Sequence, residues 1–529
     1  MNNETVREKQ VKSVELGLFA SRVAAICEEM GALLGRVAFS PNIRDRLDYS
    51  CALFNHRGQL LGQATHIPVH LGSMASAMAG LVSNRDWRPG DMLILNDPFQ
   101  GGTHLPDVTL VAPVFVDGEQ LGYIANRAHH ADIGCHAPGS MPLSRTLAEE
   151  GKLIEPSWLM RGGKFDEDML QSILQGLTSP ETSRGDINAQ VAANLLGVKR
   201  LQALIGAMGV EPFTALETAL QQWARTLVET SLSALPAGRY HFLDYLDGDG
   251  FGNHDIPVAV TVDIDKGGVR VDFSGTAKQV TGNLNCPWPV TAAAVFYVFR
   301  CLLPAHTPAC HGAMQGIRVE APAGSLVNAR PPAAVAAGNV ETSSRIVDVV
   351  CGALAKALAA DGPGPSIPAA SQGTMNNLAM GSRGPAGWDY YETLAGGMGA
   401  AHDCDGRSAT HSHMTNTLNT PVEVLELNYP LRILRYAVRR GSGGAGRHRG
   451  GDGVVRAYRF LEDTEVSLLG ERRRHPPWGL AGGASGRCGR DELDTTVVAG
   501  KGQFKARAGQ VLTLFTPGGG GYGPPAPDS

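Results

Sequence analysis

The segment 96–136 carries four histidines (His104, His129, His130 and His136) and, apart from Asp117, three aspartates (Asp97, Asp107 and Asp132), gathered at its two ends. Imidazoles and carboxylates ligate divalent metals and carry protons, so this grouping points to a metal or catalytic site. Between the two groups lie β-rich runs at 108–116 and 120–126, flanking Asp117-Gly118, a dipeptide that favours a tight hairpin turn. A turn centred there sets His129 opposite Pro106, between His104 and Asp107 across the open end of the hairpin. Two imidazoles and one carboxylate, with coordination positions left open, suit a catalytic divalent ion such as Zn, Mn or Fe. His130, Asp132 and Asp97 are near enough in sequence to orient the ligating rings and tune the ion. A single loop histidine could equally cap a strand end. The grouping at both ends of one hairpin is what favours a site.

Other stretches offer weaker chemistry. His66 and His70 are four apart, but Pro68 between them argues against the helix that such a pair usually needs. A plain structural role is the expectation, with the two rings lining the same cavity as the alternative and Gly72-Ser73 in another turn. Gly338-Asn339-Val340-Glu341-Thr342-Ser343-Ser344-Arg345 leads into a helix, with Thr342 or Ser343 as its N-cap. Glu341 and Arg345 either face a pocket or form an ordinary ion pair. His402-Asp403-Cys404-Asp405 and His411-Ser412-His413 have the composition of a second metal site, though short polar loops of this kind usually bind nothing. Glu423 and Glu426, ahead of Tyr429-Pro430, read as structural.

Two glycine-rich stretches raise the question of a nucleotide. Gly441 to Gly446 formally matches GxGxxG, yet Arg447-His448-Arg449-Gly450-Gly451 follows and cannot form the apolar helix of a dinucleotide fold. No GxxxxGK[ST] occurs either. If ATP is used, another chain binds it. The 518–521 run reads as a turn or a close backbone approach.

The elements that must position these residues follow from periodicity. Phe19, Val23, Ile26, Met30 and Leu33 place an apolar stripe on a helix over 11–34. Strands are expected at 49–54 and 59–62 around Asn55-His56-Arg57-Gly58, and at 92–95 before a loop over 99–106. The stretch 165–235 has helical spacing, with Leu201, Leu204 and Ile205 on one segment and Leu216, Leu220 and Trp223 on the next. Strands return at 238–245, 258–264 and 269–273, with helices at 291–302 and 343–360; from 371 the chain is Gly-rich strand and loop. This pattern predicts a mixed α and β (α+β) multi-layer fold with a helical insertion. Its expected regions are a strand-rich metal-site part with an N-terminal helix (1–160), a helical part (161–236), a mixed part (237–370) and a Gly-rich part (371–529), interwoven and with soft boundaries.

Composition narrows the function. In 529 residues, 43% hydrophobic and 18% charged residues exclude wholesale disorder and predict no membrane protein. A net charge of −5 provides no broad attraction to nucleic acid. Nine scattered cysteines without a CxxC pair, and a polar N-terminus without a signal-like apolar run, predict a reduced, cytoplasmic protein without a zinc finger.

The runs Asn96-Asp97-Pro98-Phe99-Gln100-Gly101-Gly102-Thr103-His104-Leu105-Pro106-Asp107, Asn126-Arg127-Ala128-His129-His130-Ala131-Asp132 and Pro138-Gly139-Ser140 resemble the hydantoinase B family. His66 to Met74, Gly338 to Ser343 and Thr516 to Gly523 are also family-like, so the resemblance spans nearly the whole chain. That family groups the B subunit of ATP-dependent N-methylhydantoinase, the corresponding half of 5-oxoprolinase, a caprolactamase subunit and the metal-bearing subunit of acetone and acetophenone carboxylases. The resemblance implies a hydantoinase B-like fold, a metal on His104, Asp107 and His129, and a hetero-oligomer with a hydantoinase A-type ATPase subunit that binds ATP and Mg. It implies ring opening of a hydantoin, 5-oxoproline or related lactam: ATP phosphorylates the amide oxygen, and water activated by the divalent metal attacks. His130, Asp132 and Glu341 are the candidate catalytic groups, with His66, His70, Asp97, Cys135 and Arg345 around them or lining the pocket. Relatives usually carry Gly where Cys135 stands, a departure expected to reshape the pocket wall or alter substrate choice. The alternatives are a ketone carboxylase subunit on the same scaffold and a non-catalytic scaffold for the A subunit.

Overall fold

The strand-forming runs of the first third pair into one antiparallel sheet in the computed structural model, which describes residues 3–64, 66–83, 85–358, 366–383 and 387–525. Its strands are β1 (Tyr49–Asn55), β2 (Leu60–Gln63), β3 (Met92–Leu95), β4 (Asp107–Val116), β5 (Glu119–His129), β6 (Ser157–Arg161) and β7 (Lys164–Phe165), in the order β2-β1-β5-β4-β3-β6-β7. Side chains alternate between faces, so two cores form. Cys51, Leu53 and Ile124 join α1 (Asn3–Val37), α5 (Pro180–Met208) and α6 (Val210–Ser233) on one face. Ala52, Phe54, Tyr123 and Ala125 pack on the other against Met74 and Met78 of α3 (Pro68–Val82). The short helices α2 (Pro41–Arg44) and α4 (Glu167–Leu174) lead into β1 and follow β7. The region expected to be helical from 165 thus keeps one strand residue, Phe165, before α4, α5 and α6.

The β4–β5 hairpin forms at Asp117-Gly118, both with positive φ (50° and 83°). Its register differs by one residue from the expectation. Val116 faces Glu119 and Phe115 faces Gln120, but a bulge between Val114 and Phe115 then slips the ladder, and His129 faces Asp107 rather than Pro106.

Pro68 also acts differently from the expectation. It begins α3 instead of breaking a helix, because the first turn needs no N–H from it and its fixed φ suits that position. His70, Gly72 and Ser73 therefore lie in the opening turns of α3, not in a further turn. At Gly72 the helix presses on α7 (Trp288–Leu302): a Cβ there would sit 2.7 Å from the Ala293 Cα.

The second sheet comprises β8 (Gly238–Gly248), β9 (His254–Asp265), β10 (Gly268–Asp272) and β11 (Ile317–Glu320), in the order β11-β10-β9-β8 with β10 and β11 parallel. Its apolar face packs with α7 and α8 (Ser343–Ala357). A π-helical turn over Gly338–Thr342 precedes α8, so neither Thr342 nor Ser343 caps it; their hydroxyls donate to the Leu284 and Asn339 carbonyls. Residues 359–360 of the expected helix lie outside the described residues.

The Gly-rich part builds two further antiparallel sheets. One joins β12 (Asn377–Ser382), β13 (Trp388–Glu392), β16 (Thr464–Leu469) and β19 (Lys501–Ala506) in the order β13-β12-β16-β19. The other joins β14 (Leu431–Arg439), β15 (Gly453–Phe460), β17 (Arg490–Leu493), β18 (Thr496–Val498) and β20 (Val511–Phe515) in the order β14-β15-β20-β17-β18. A short helix, α9 (Val422–Asn428), precedes β14, and Glu426 on it accepts from the Ile433 N–H, a structural role. The whole is an α+β fold. No helix among the described residues is long and apolar enough to cross a membrane.

Gly72→Ala should cost about 1–3 kcal/mol, because the methyl group meets backbone that cannot yield. Gly80→Ala, on the same helix with nothing within 4 Å of a new Cβ, should be neutral or stabilising. Urea midpoints of the two variants check this; equal midpoints would show that α3 and α7 do not approach so closely.

Candidate metal centre

Asp107 opens β4 and His129 ends β5, so their direct opposition brings the side chains together, His129 Nδ1 lying 3.2 Å from Asp107 Oδ1. His104, in the preceding loop, places Nε2 3.1 Å from the same oxygen. One ligand atom from each of the three lies within 4.8 Å of the others, and all three residues are buried. The Nε2 atoms of His104 and His129 are buried without a hydrogen-bond partner. Orphaned buried nitrogens are rare, and two beside a carboxylate fit a cation. His104 Nδ1 lies 3.3 Å from the Ala336 carbonyl, which fixes the proton there and leaves Nε2 as the ligand atom.

The electrostatics suit that reading. Burial alone would raise the Asp107 carboxyl, but the His104 and His70 imidazoles beside it and the hydrogen bond from His129 hold it well below the usual range. Burial would depress His104, yet Asp107 beside it prevails and its pKa is raised. At His129 burial prevails and the pKa is lowered, which favours the neutral, ligating ring.

The surrounding residues come from distant parts of the chain. His70 Nε2 sits 3.2 Å from Asp107 Oδ2 and 3.9 Å from Asp48 Oδ1, with Nδ1 3.4 Å from Ser50 Oγ. His70 thus lies beside Asp107, among the residues expected around the site, because Pro68 starts a helix that points it inward. Thr103 donates to Asp107 Oδ2 and Asn339 Nδ2 donates to it at 3.4 Å. The Tyr391 ring stacks on His129 at 4.7 Å, and the Arg46 guanidinium lies over the Tyr391 ring, 4.9 Å from its centroid. Glu150 Oε1 accepts from Ser144 Oγ and from the Val335 and Ala336 N–H groups, fixing the peptide that holds His104. Arg127 donates to Ser73 Oγ, Thr109 Oγ1 and the Gly101 carbonyl, tying α3, β4 and the ligand loop together. Sequence reasoning missed Glu150, Thr103 and Tyr391, and no local pattern marks them.

The other candidates fall elsewhere. His130 Nε2 lies 2.9 Å from Gln190 Oε1, in a polar network with Asn126 on the α5 side. Asp132 accepts from the Gly134, Thr178 and Ser179 N–H groups, and Asp97 from Phe99 N and Gln100 Nε2, so both shape loops. Glu341 accepts from Met375 N and Asn377 Nδ2, and Tyr391 donates to Asn377 Oδ1, so it stands one residue removed from the Tyr391 hydroxyl. Arg345 pairs with Asp244 at 2.9 Å and faces Glu471 at 3.5 Å, in a separate buried ionic cluster. His66 Nδ1 accepts from the Cys51 N–H. The Cys135 thiol donates to the Glu149 carbonyl, and burial pushes it up to about 12. His402 pairs with Ser366 and Asp403, and His413 with Tyr297, so no second metal group forms among the described residues.

The chain matches the family described as Hydantoinase B/oxoprolinase over residues 12–525. It is 38% identical to 5-oxoprolinase 1 of Arabidopsis thaliana over 96% of this chain and 42% of that protein, so it spans about two fifths of that relative. Its structure is similar to the ATP-dependent caprolactamase of Pseudomonas jessenii (TM-score 0.89, 26% identity, 97% of this chain and 91% of that one). The fold is also that of a nucleotide-free acetone carboxylase structure (TM-score 0.84, 19% identity, 97% and 76% of the chains).

His104 must be free of its second proton to ligate and its pKa is raised, so divalent-metal affinity should fall as pH drops, beginning above the ordinary value of 6.5, by up to about tenfold per unit. Chelator competition measures this, and Asp107→Asn should lose the metal at every pH; wild-type affinity in that variant would remove the site. Glu341 offers a second test, since its Oε2 has no partner and burial raises its carboxyl from 4.5 to about 7. Between those values the folded state keeps a proton that the unfolded chain releases, so stability falls as pH rises. Glu341→Gln should remove this loss, widening its stability advantage by about 2–3 kcal/mol across that window. A pH-independent difference in urea midpoint contradicts it.

Proposed function

The chain belongs to the hydantoinase B/oxoprolinase family, and from that premise we propose that it is the metal-bearing subunit of an ATP-dependent cyclic amidohydrolase. Its substrate class is a hydantoin, 5-oxoproline or related lactam, opened through an O-phosphorylated intermediate. The observation that carries the reading is the buried convergence of His104, Asp107 and His129 with two unpartnered imidazole nitrogens. His104, Asp107 and His129 would hold a divalent ion, which would act as a Lewis acid and lower the pKa of water.

The chain's own residues do the rest. Asp107 stays ionised because Thr103, Asn339 and the imidazoles around it compensate its burial. Ala336 holds the His104 proton at Nδ1, and Tyr391 keeps the His129 ring in plane. His70, facing both Asp107 and Asp48, is the imidazole placed to take a proton during attack. His130 and Asp132 hold the walls of the site through Gln190 and the 178–179 backbone.

Without a nucleotide motif of its own, the chain requires a phosphorylating partner, a hydantoinase A-type ATPase carrying ATP and Mg. The assay is ADP release and ring opening by the co-purified pair, offered 5-oxoproline, hydantoins, other lactams and small ketones, each with and without bicarbonate. A lactam should stimulate both without bicarbonate, and His70→Ala should lower turnover about 100-fold or more while retaining metal. Turnover only with a ketone and bicarbonate would make the chain a carboxylase subunit instead.

A further inference from the structure

A cavity of about 290 Å³ lies between α3 and α7. Pro68 and Gly72, four apart on α3, line it, while His70 between them projects toward Asp107. Phe296, Tyr297 and Met314 give it an apolar wall. One cation also lines it: Arg300, near the end of α7, whose Nη1 is buried without a hydrogen-bond partner. Among the described residues no carboxylate forms an ion pair with it. The adjacent thiols cannot balance the charge, because burial pushes Cys301 up and Cys310 up to about 11, leaving both neutral. Gln63 Oε1, lining the same cavity, is likewise buried and unpartnered. Arg300 is half-buried, with Nη1 turned inward and left without a partner, and its planar fork matches a carboxylate.

We propose that this cavity binds a small carboxylic acid with an apolar body and one N–H or O–H donor. Arg300 takes the carboxylate, Gln63 accepts the donor, and the hydrocarbon lies against Phe296, Tyr297 and Met314. The site is distinct from the metal ligands and does not depend on the hydrolase reading. The ligand is either the ring-opened acid of the chain's own reaction or a separate acid acting on the helix that carries His70.

Calorimetry on the full chain tests this with N-acetyl-L-leucine, 4-methylpentanoate and their primary amides. The acids should bind at least about tenfold more tightly than the amides. Arg300→Gln should weaken the acids by about tenfold or more and leave the amides unchanged, with Arg300→Lys intermediate. Ala309→Leu, which fills the cavity from its partly exposed edge, should weaken both. Without ligand, Arg300→Gln should melt at or above the wild-type temperature, since it removes an unpaired charge; a merely structural arginine would lower it. Displacement of N-acetyl-L-leucine by the ring-opened product assigns the site to the reaction path, and no displacement assigns it to a separate acid; both uphold the cavity as a carboxylate site. Absent binding of both acids to the wild type, or equal affinity in Arg300→Gln, overturns it. Neither result bears on the metal centre, which the chelator measurement decides by itself.

Discussion

Asp107 carries a negative charge with no exposure to water, and the structure around it is arranged to compensate that burial. A carboxylate so placed needs charge partners and donors on every side. It has imidazoles of His70, His104 and His129 and donors from Thr103 and Asn339. These come from one helix, one loop, one strand and one π-helical turn, so the site exists only when four separate elements have docked. The unsatisfied edge of that arrangement, two Nε2 atoms, is where a cation belongs.

Two layers hold these elements. On one side, Arg127 ties α3 to the ligand loop and β4, and Gln190 with Asn126 joins the hairpin to α5. On the other, Glu150 locks the 335–336 backbone against His104. Farther out, Asp244, Asp348 and Glu471 meet Arg345, Arg472 and Lys501 in a buried ionic cluster that joins β8, α8 and the end of β16. Buried pairs of this kind contribute little net stability, but each partner is costly to lose, so they fix geometry. The line Glu341, Asn377, Tyr391, His129 runs from the side of that cluster to the His104, Asp107 and His129 group.

The Gly-rich third works by contact between backbones rather than by side chains. A Cβ on Gly519 would lie 1.9 Å from the Met398 carbonyl oxygen, and one on Gly520 2.0 Å from that of Trp478. Their N–H groups donate to Gly451 and Ala370 carbonyls, and Gly444 donates to Gly519. The stretch that formally matches a dinucleotide motif is therefore packed into this region, with the Ser442, Gly443 and Gly444 N–H groups donating to Arg439, Asp452 and Gly519.

How much of this was legible follows from distance along the chain. The turn at Asp117-Gly118 and alternating strands are local properties, so the hairpin and the meeting of His104, Asp107 and His129 could be read from the sequence. The bulge that shifts the register by one residue has no such local marker, because it depends on how β4 and β5 twist within the seven-stranded sheet. The helical setting of His70 was misjudged because Pro68 both breaks and begins helices, and only the docking of α3 against α7 decides which. Glu341 and Arg345 looked like one motif but turn to different partners, since a π-helical turn separates their directions. Residue type and short spacing were enough to bring His104, Asp107 and His129 together, to predict the mixed architecture and to exclude a P-loop and a dinucleotide motif. Tertiary structure decided what surrounds the ligands: His104 meets Ala336 across 232 residues, and packing sets contacts over that separation.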